Sequence, residues 1–159
     1  MLSIRPAQPT DAALLKTMIH EFAAFERLPA VITEADILRD AFGPRPRFRV
    51  LIAEWNSQPA GYAFFFDFYS SFHGRHGLFL EDIYVRSQFR GKGIGYALFA
   101  RVAAIARQEN CFSLRWQVLA WNTPAVDFYK KLDAEFLDEW KTLNLEGDPL
   151  ERLAKNATA

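Results

Sequence analysis

Three glycines at alternate positions, Gly91, Gly93 and Gly95, lie between two basic residues and an apolar run in the segment QFRGKGIGYALF. A loop of this kind exposes main-chain N–H groups, and a helix that begins directly after it adds the positive end of its dipole. Arg90 and Lys92 add two positive charges. The segment therefore predicts an anion site, for which a pyrophosphate is well suited; a glycine-rich turn without a ligand is the alternative.

The spacing of the glycines excludes two common phosphate-binding loops. The P-loop requires G-x-x-x-x-G-K-[ST], and this pattern is absent. A dinucleotide-binding loop requires G-x-G-x-x-G, usually after the first strand, with an acidic residue about 20 positions later. Here the glycines follow G-x-G-x-G in the middle of the chain. The loop therefore belongs to neither class, and a strand, a glycine loop and a helix N-terminus remain as the anion site.

Two carboxylates, Glu81 and Asp82, interrupt the otherwise apolar strand LFLEDIYV directly before the glycine loop. A carboxylate at such a place can accept a proton from a reacting group. Neighbouring residues of a regular strand point to opposite faces, so only one of the two would face a site unless a β-bulge intervenes. A carboxylate pair at a solvated strand edge is the alternative interpretation.

The elements that must position these residues follow the order β-α-α-β-β-β-α-β-α-β-β. This order predicts a single mixed α/β domain over residues 1–159, with a central, mostly antiparallel sheet of six to seven strands and about four helices. The strand before the glycine loop and the strand FSLRWQVL should be parallel, because a helix connects them. The segments AEFL and WKTLNLE are predicted to be the last two strands.

Composition restricts the class of protein. Half of the 159 residues are hydrophobic, which suffices for a core, and the 19 basic residues balance the 19 acidic ones, which does not favour a nucleic-acid partner. Cys111 is the single cysteine and has no metal-binding partners beside it, so we expect neither a disulfide nor a metal. The longest apolar run, AGYAFFF, is too short to cross a membrane. We therefore expect a cytoplasmic protein.

The strand LFLEDIYV, the loop RGKGIG and the segment AWNTPAVDFYKKL together resemble the GNAT superfamily of N-acetyltransferases. The loop matches the pattern R/Q-x-x-G-x-G/A over residues 90–95, and Asn122 with Phe128 and Tyr129 matches the later pattern N-x-x-x-x-x-F-Y. With HEFAAFE and VITEADILRDAFG, the ordered set resembles the diamine (spermidine/spermine) acetyltransferase branch and its thialysine-acetylating relatives. The resemblance covers nearly the whole chain.

The resemblance implies direct transfer of acetyl from acetyl-CoA to a primary amine of a small diamine, polyamine or lysine-like substrate, and a homodimer. It implies a bulge that brings Glu81 to the substrate, while the base remains open among Glu81, Asp82 and a water relay. It also implies that Tyr129 protonates the departing thiolate. The implied cofactor contacts are Ile83, Tyr84, Val85, Arg90, Gly91, Lys92, Gly93, Ile94, Gly95, Asn122 and Tyr129.

The implied amine contacts include residues where this chain departs from the branch. Phe25 lacks the hydroxyl usual in polyamine enzymes, and the loop YSSFHGRHG lacks the acid expected near Ser70, so a long polyamine is disfavoured, and shorter diamines, lysine-like amines or another primary amine remain open. Asp133 stands where the family usually has a helix-ending glycine. Acetylation of a protein or peptide amine and a CoA-binding regulatory module without turnover are the alternatives. The implied amine contacts are Phe25, Glu26, Glu81, Arg115, Trp116, Gln117 and Glu139.

Overall fold

The computed structural model describes residues 1–157, which contain five strands and five α-helices. The chain divides into two compact units, residues 1–117 and 118–159. The mixed α/β class is confirmed, whereas the predicted count of six to seven strands is too high. The elements are β1 (Leu2–Pro6), α1 (Ala12–Glu26), α2 (Glu34–Phe42), β2 (Arg49–Trp55), β3 (Gln58–Ser70), β4 (Arg75–Val85), α3 (Ile94–Gln108), β5 (Leu114–Trp116), α4 (Thr123–Lys130) and α5 (Gly147–Ala154).

All five strands lie in the first unit and form one sheet in chain order. The pairs from β1 to β4 are antiparallel, and β4 pairs with β5 in parallel. The parallel pair follows from the connection, because α3 carries the chain back to the edge at which β4 began. The predicted crossover and the mostly antiparallel sheet are confirmed.

A two-residue turn joins β2 to β3. Asn56 and Ser57 have φ values of 49° and 63°, the left-handed conformation that a type I′ hairpin turn requires at both positions. The predicted hairpin is therefore confirmed, with β3 beginning two residues earlier than expected. The turn, together with a bulge at Ala60 between the pairs Glu54–Pro59 and Ala53–Gly61, sets the register of the two strands and so determines which residues of β3 face α1.

Helices α1 and α2 cover one face of the sheet. Leu15 and Met18 of α1 and Ile37 of α2 are fully buried in one cluster with the strand residues Val50, Ile52, Tyr62 and Tyr84. On the other face, α3 packs through Phe99, whose ring meets Trp116 of β5 edge to face at 4.8 Å. Burial on both faces explains why β2 and β3 read as nearly continuous apolar runs. Among residues 1–157, no helix is both long enough and apolar enough to span a bilayer.

The two strands predicted at the end of the chain are absent from residues 1–157. The segments AEFL and WKTLNLE adopt no regular structure, and Leu143 is 94% exposed. Alternating apolar residues form a strand only where a neighbouring strand supplies hydrogen-bond partners, and these segments have none. The helix α5 was not predicted; Leu150 and Leu153, three residues apart, are the sequence signal that could have indicated it.

Candidate active site

The glycine loop lies between a 3-10 turn, Ser87–Phe89, and the first residue of α3. Gly91 and Gly93 have φ values of 76° and 74°, and a Cβ atom at either would meet no atom within 4 Å. Within residues 1–157, the N–H groups of residues 91–93 donate to no other backbone group. The loop therefore presents unpaired donors beside a helix N-terminus, an arrangement that fits a pyrophosphate.

The two basic side chains of the loop lie on aromatic rings of the first unit. Arg90 donates from Nε to the Val85 carbonyl at 2.9 Å, and its guanidinium stacks on the Phe25 ring at 4.7 Å. The Lys92 ammonium lies 5.3 Å from the centre of the Trp55 ring. Arg90 therefore links the glycine loop to the end of β4 and to the C-terminal turn of α1.

A β-bulge in β4 separates the two carboxylates. Phe64 of β3 pairs with Asp82 and Phe65 pairs with Leu80, so Glu81 is the extra residue without a partner. Glu81 is exposed, whereas Asp82 is half-buried on the face that α1 covers. The bulge that the resemblance to the GNAT superfamily implied for this strand is therefore confirmed. It follows directly after Leu80, the last residue of β4 that pairs with β5.

Beyond that point, one edge of β4 has no neighbouring strand. The ladder between β4 and β5 runs only from Leu78 to Leu80, so in the described chain residues 82–85 pair with β3 alone. Main-chain groups of Ile83 and Val85 lie along this stretch, and the Val85 carbonyl already accepts from Arg90. An extended ligand with amide groups could pair with such an edge in the manner of an added strand.

Two acidic side chains, one from α1 and one from β4, act on Asp82 beside the bulge. Tyr62 is fully buried and donates from its hydroxyl to Oδ2 of Asp82 at 3.1 Å. Burial, with smaller contributions from the charges of Glu81 and Glu26, raises the pKa of Asp82 to about 6, against the opposite effect of the hydrogen bond from Tyr62. Burial also raises the pKa of Glu26. A cation would relieve the repulsion in this acidic cluster, which comprises Glu26, Glu81 and Asp82.

An ion pair joins α1 to the residue that follows β4. Arg86 binds both carboxylate oxygens of Glu21 at 2.8 and 2.9 Å, and it also donates to the Pro59 carbonyl. The Tyr84 hydroxyl contacts the same carboxylate at 3.5 Å. Glu21, Arg86 and Tyr62 were not among the predicted site residues. The sequence carries no signal for Tyr62, because an aromatic residue in a strand is ordinary core material.

The sequence pattern that defines the Acetyltransferase (GNAT) family matches residues 15–134. The chain belongs to this family. It is therefore an N-acetyltransferase, and the resemblance to the GNAT superfamily is confirmed. The chain is 37% identical to a thialysine N-epsilon-acetyltransferase from Sus scrofa, with 95% of this chain and 96% of the relative covered. It is 29% identical to an L-ornithine N5-acetyltransferase from Arabidopsis thaliana, with 96% and 87% covered.

Solved structures show the same fold. An integron cassette protein from V. cholerae superimposes with a TM-score of 0.81 at 26% identity, and 98% of each chain is covered. An aminoglycoside acetyltransferase from an uncultured soil metagenomic sample superimposes with a TM-score of 0.76 at 16% identity, with 91% of this chain and 97% of that chain covered. The second likeness shows the GNAT fold alone, because the identity is low.

Three residues predicted to contact the amine lie in β5 or directly after it, and the structure does not bring them together. The Arg115 guanidinium of this GNAT chain stacks on Phe68 at 4.9 Å, on the sheet face opposite to α3. Trp116 packs on Phe99 of α3 instead, because neighbouring residues of a strand point to opposite faces. Gln117 is exposed at the end of the first unit.

The later GNAT pattern lies in the second unit, on and beside α4. Asn122 caps this helix, since its Oδ1 accepts from the Ala125 N–H at 3.4 Å. The Tyr129 ring meets the Phe128 ring edge to face at 5.3 Å. Asp133 has a φ of 57°, so it adopts the left-handed conformation that the family's usual glycine supplies. Glu139 is exposed in the irregular segment that follows.

Cys111 lies near two potential metal ligands, which contradicts the expectation that it has no such partners. Its sulfur, a ring nitrogen of His76 and a carboxylate oxygen of Glu109 lie within 4.8 Å of one another. The contact with His76 could not be predicted, because His76 is on β4 and lies far from Cys111 in the sequence. The Arg49 guanidinium binds both oxygens of Glu109, at 2.5 and 3.0 Å, and burial raises the pKa of the Cys111 thiol. Glu109 is therefore already neutralised by a cation.

Proposed function

We propose that this GNAT chain transfers acetyl from acetyl-CoA, by direct attack, to a primary amine of a small lysine-like or diamine substrate. The observation that carries the proposal is the acidic cluster of Glu26, Glu81 and Asp82 beside the glycine loop. An alkyl amine has a pKa of about 10.4 and arrives as a cation, which such a cluster attracts. The thialysine and ornithine acetyltransferases that the chain resembles support the same class of acceptor.

The glycine loop and the open edge of β4 are the proposed contacts of acetyl-CoA. The N–H groups at Gly91 and Gly93 would bind the pyrophosphate, with the charges of Arg90 and Lys92 nearby. The main chain of residues 83–85 would pair with the amide groups of the pantetheine arm, and an N–H there would stabilise the charge that develops on the thioester oxygen. Asn122 and Tyr129 are the further contacts that the later GNAT pattern implies.

Asp82 is the proposed proton acceptor. At pH 7 only roughly one alkyl amine in 2,500 is neutral, so turnover needs a base whose pKa lies near the working pH. The pKa of Asp82, about 6, meets this need. Asp82 first takes one proton from the ammonium, directly or through one water, and the neutral nitrogen then bonds to the thioester carbon. The positively charged nitrogen of the adduct loses a second proton to water. The C–S bond then breaks, and Tyr129 protonates the thiolate. Glu81, exposed on the bulge, is the proposed contact of the substrate ammonium.

A glycine substitution tests the cofactor loop. Gly93→Ala places a side chain where φ is 74°, a conformation that costs an L-residue about 1–2 kcal/mol, so the loop should relax to negative φ in the free protein. Because binding must then restore the strained loop, we expect the affinity for acetyl-CoA in isothermal titration to fall about tenfold. Gly74→Ala is the matched control, because Gly74 also has a positive φ, 58°, with no atom within 4 Å of a Cβ, yet lies in the β3–β4 turn. Equal affinity of both variants would contradict the loop assignment.

A panel of amines tests the proposed reaction. The protein is incubated with acetyl-CoA and either lysine, thialysine, ornithine, a short diamine or spermidine, and thiol release is followed. We expect release with the lysine-like amines and the short diamine, and weaker release with spermidine. No release with any of these amines would overturn the proposal. Acetylated peptides would favour a protein or peptide acetyltransferase, and tight acetyl-CoA binding without transfer would favour a regulatory module.

The single domain, the homodimer and the cytoplasmic location stay predictions.

A further inference from the structure

Tyr62 is one of two tyrosines in an otherwise apolar cluster. Its side chain is fully buried, with an exposed fraction of 0%. Leu15, Met18 and Ile37 of the two covering helices belong to the same cluster. Its ring lies 6.1 Å from the ring of Tyr84. Its hydroxyl donates to Oδ2 of Asp82 at 3.1 Å. A hydroxyl buried in this way needs a partner, and the carboxylate supplies it.

We propose that Tyr62 is a positioning residue of this transferase: its hydroxyl, fixed by the packing of α1 and α2 on the sheet, holds the carboxylate of Asp82 at the bulge and favours its anionic form. The inference rests on the proposed function, in which that carboxylate receives the proton of the amine. Tyr62 itself does not touch the reacting atoms in this proposal, because it acts through Asp82.

The bulge at Glu81 is what allows Tyr62 and Asp82 to meet. Tyr62 pairs with Tyr84 and Phe64 pairs with Asp82, so all four lie on one face, and Tyr62 and Asp82 are diagonal neighbours. If the register after Phe65 and Leu80 continued without the extra residue, Asp82 would pair with Ala63 instead. Its side chain would then point to the face of α3, away from Tyr62.

Among the groups of residues 1–157 that act on Asp82, Tyr62 alone favours the anion. From β4, the charge of Glu81 raises the pKa of Asp82, and from α1 the charge of Glu26 does the same, in addition to the larger effect of burial. Tyr84 faces Tyr62 and is a neutral phenol whose pKa burial raises. Burial and the charge of Asp82 also raise the pKa of Tyr62, so its hydroxyl keeps its proton and remains a donor.

The test removes the hydroxyl of Tyr62 and measures the titration of the Asp82 carboxyl group directly. In Tyr62→Phe protein labelled with 13C at the Asp carboxyl groups, NMR follows the titration of Asp82, which is assigned by its loss in Asp82→Asn. We expect the midpoint to move upward by about one pH unit, because a hydrogen bond to a charged group is lost. The acid limb of the kcat/KM profile should move by the same amount. In Tyr69→Phe, where the hydroxyl lies on an exposed residue, neither should move.

An unchanged midpoint in folded Tyr62→Phe protein would overturn the proposal. If that variant fails to fold, 3-fluorotyrosine incorporated at position 62 keeps the ring and the hydroxyl but makes the donor more acidic. The Asp82 midpoint should then fall, and an unchanged midpoint would again overturn the role of Tyr62. Inactivity of the wild-type protein toward the whole amine panel would instead count against the proposed function, so the two failures are distinguishable.

Discussion

Asp82→Asn is expected to lower kcat/KM for amine acetylation by about 100-fold or more at pH 7.5, because a positioned general base contributes on this scale. The amide keeps the shape of the carboxylate and can still accept from Tyr62, but it cannot take a proton. In the wild-type protein, kcat/KM should rise as the pH passes the pKa of Asp82, about 6. The variant should lose this inflection, which a pH series of initial rates would measure.

The same substitution should stabilise the fold, which separates the loss of a base from misfolding. The folded pKa of Asp82, about 6, lies above the ordinary value of 3.8, so the folded state binds the extra proton between these values. The buried anion therefore destabilises the folded state increasingly as pH rises from 4 to 6, by at most about 3 kcal/mol. Asp82→Asn should raise the unfolding temperature at pH 7.5 and leave it nearly unchanged below pH 4.

Asp67→Asn is the matched control for Asp82. Asp67 is an exposed aspartate of the same sheet, and its carboxylate pairs with Arg49 rather than with a buried phenol. This control should keep both the rate and the inflection near pH 6. Turnover of Asp82→Asn within about twofold of wild type, with the inflection retained, would transfer the role of base to Glu81 or to a water relay.

The second large effect is expected for Tyr129→Phe, which should lower kcat by about 100-fold while the dissociation constant of acetyl-CoA stays within about twofold. The prediction rests on the match of Asn122, Phe128 and Tyr129 to the later GNAT pattern. A thiol has a pKa of about 8.5 and a tyrosine of about 10, so proton donation is uphill by about 2 kcal/mol and requires direct contact with the sulfur. Steady-state rates and isothermal titration measure the two quantities.

A thioester whose leaving group needs no proton shows whether Tyr129 acts as a proton donor. An acetyl thioester whose thiol has a pKa well below 7 departs as a stable anion, so Tyr129→Phe should lose much less rate with it than with acetyl-CoA. Tyr69→Phe, which removes an exposed hydroxyl, serves as the control and should match wild type with both donors. Equal losses with the two donors would remove Tyr129 from proton transfer.

The local parts of the candidate site could be predicted from the sequence, because each depends on a few adjacent residues. The glycine spacing of residues 90–95 identifies a backbone that accepts positive φ, and the structure has it at Gly91 and Gly93. The hairpin, the parallel crossover and the helix cap at Asn122 follow from similarly short signals. The last two predicted strands are wrong, since pairing with another strand is not a local property.

The amino-acid sequence by itself determined the GNAT family, the glycine loop and the pair of carboxylates in LFLEDIYV. Only the tertiary structure decided that Glu81 is the bulged, exposed residue and that Asp82 is half-buried under Tyr62. Glu26 acts on Asp82 from 56 positions earlier in the chain, and Tyr62 from 20. The physical reason is that strand register and helix packing, which no short segment specifies, bring these groups together and set the pKa of Asp82.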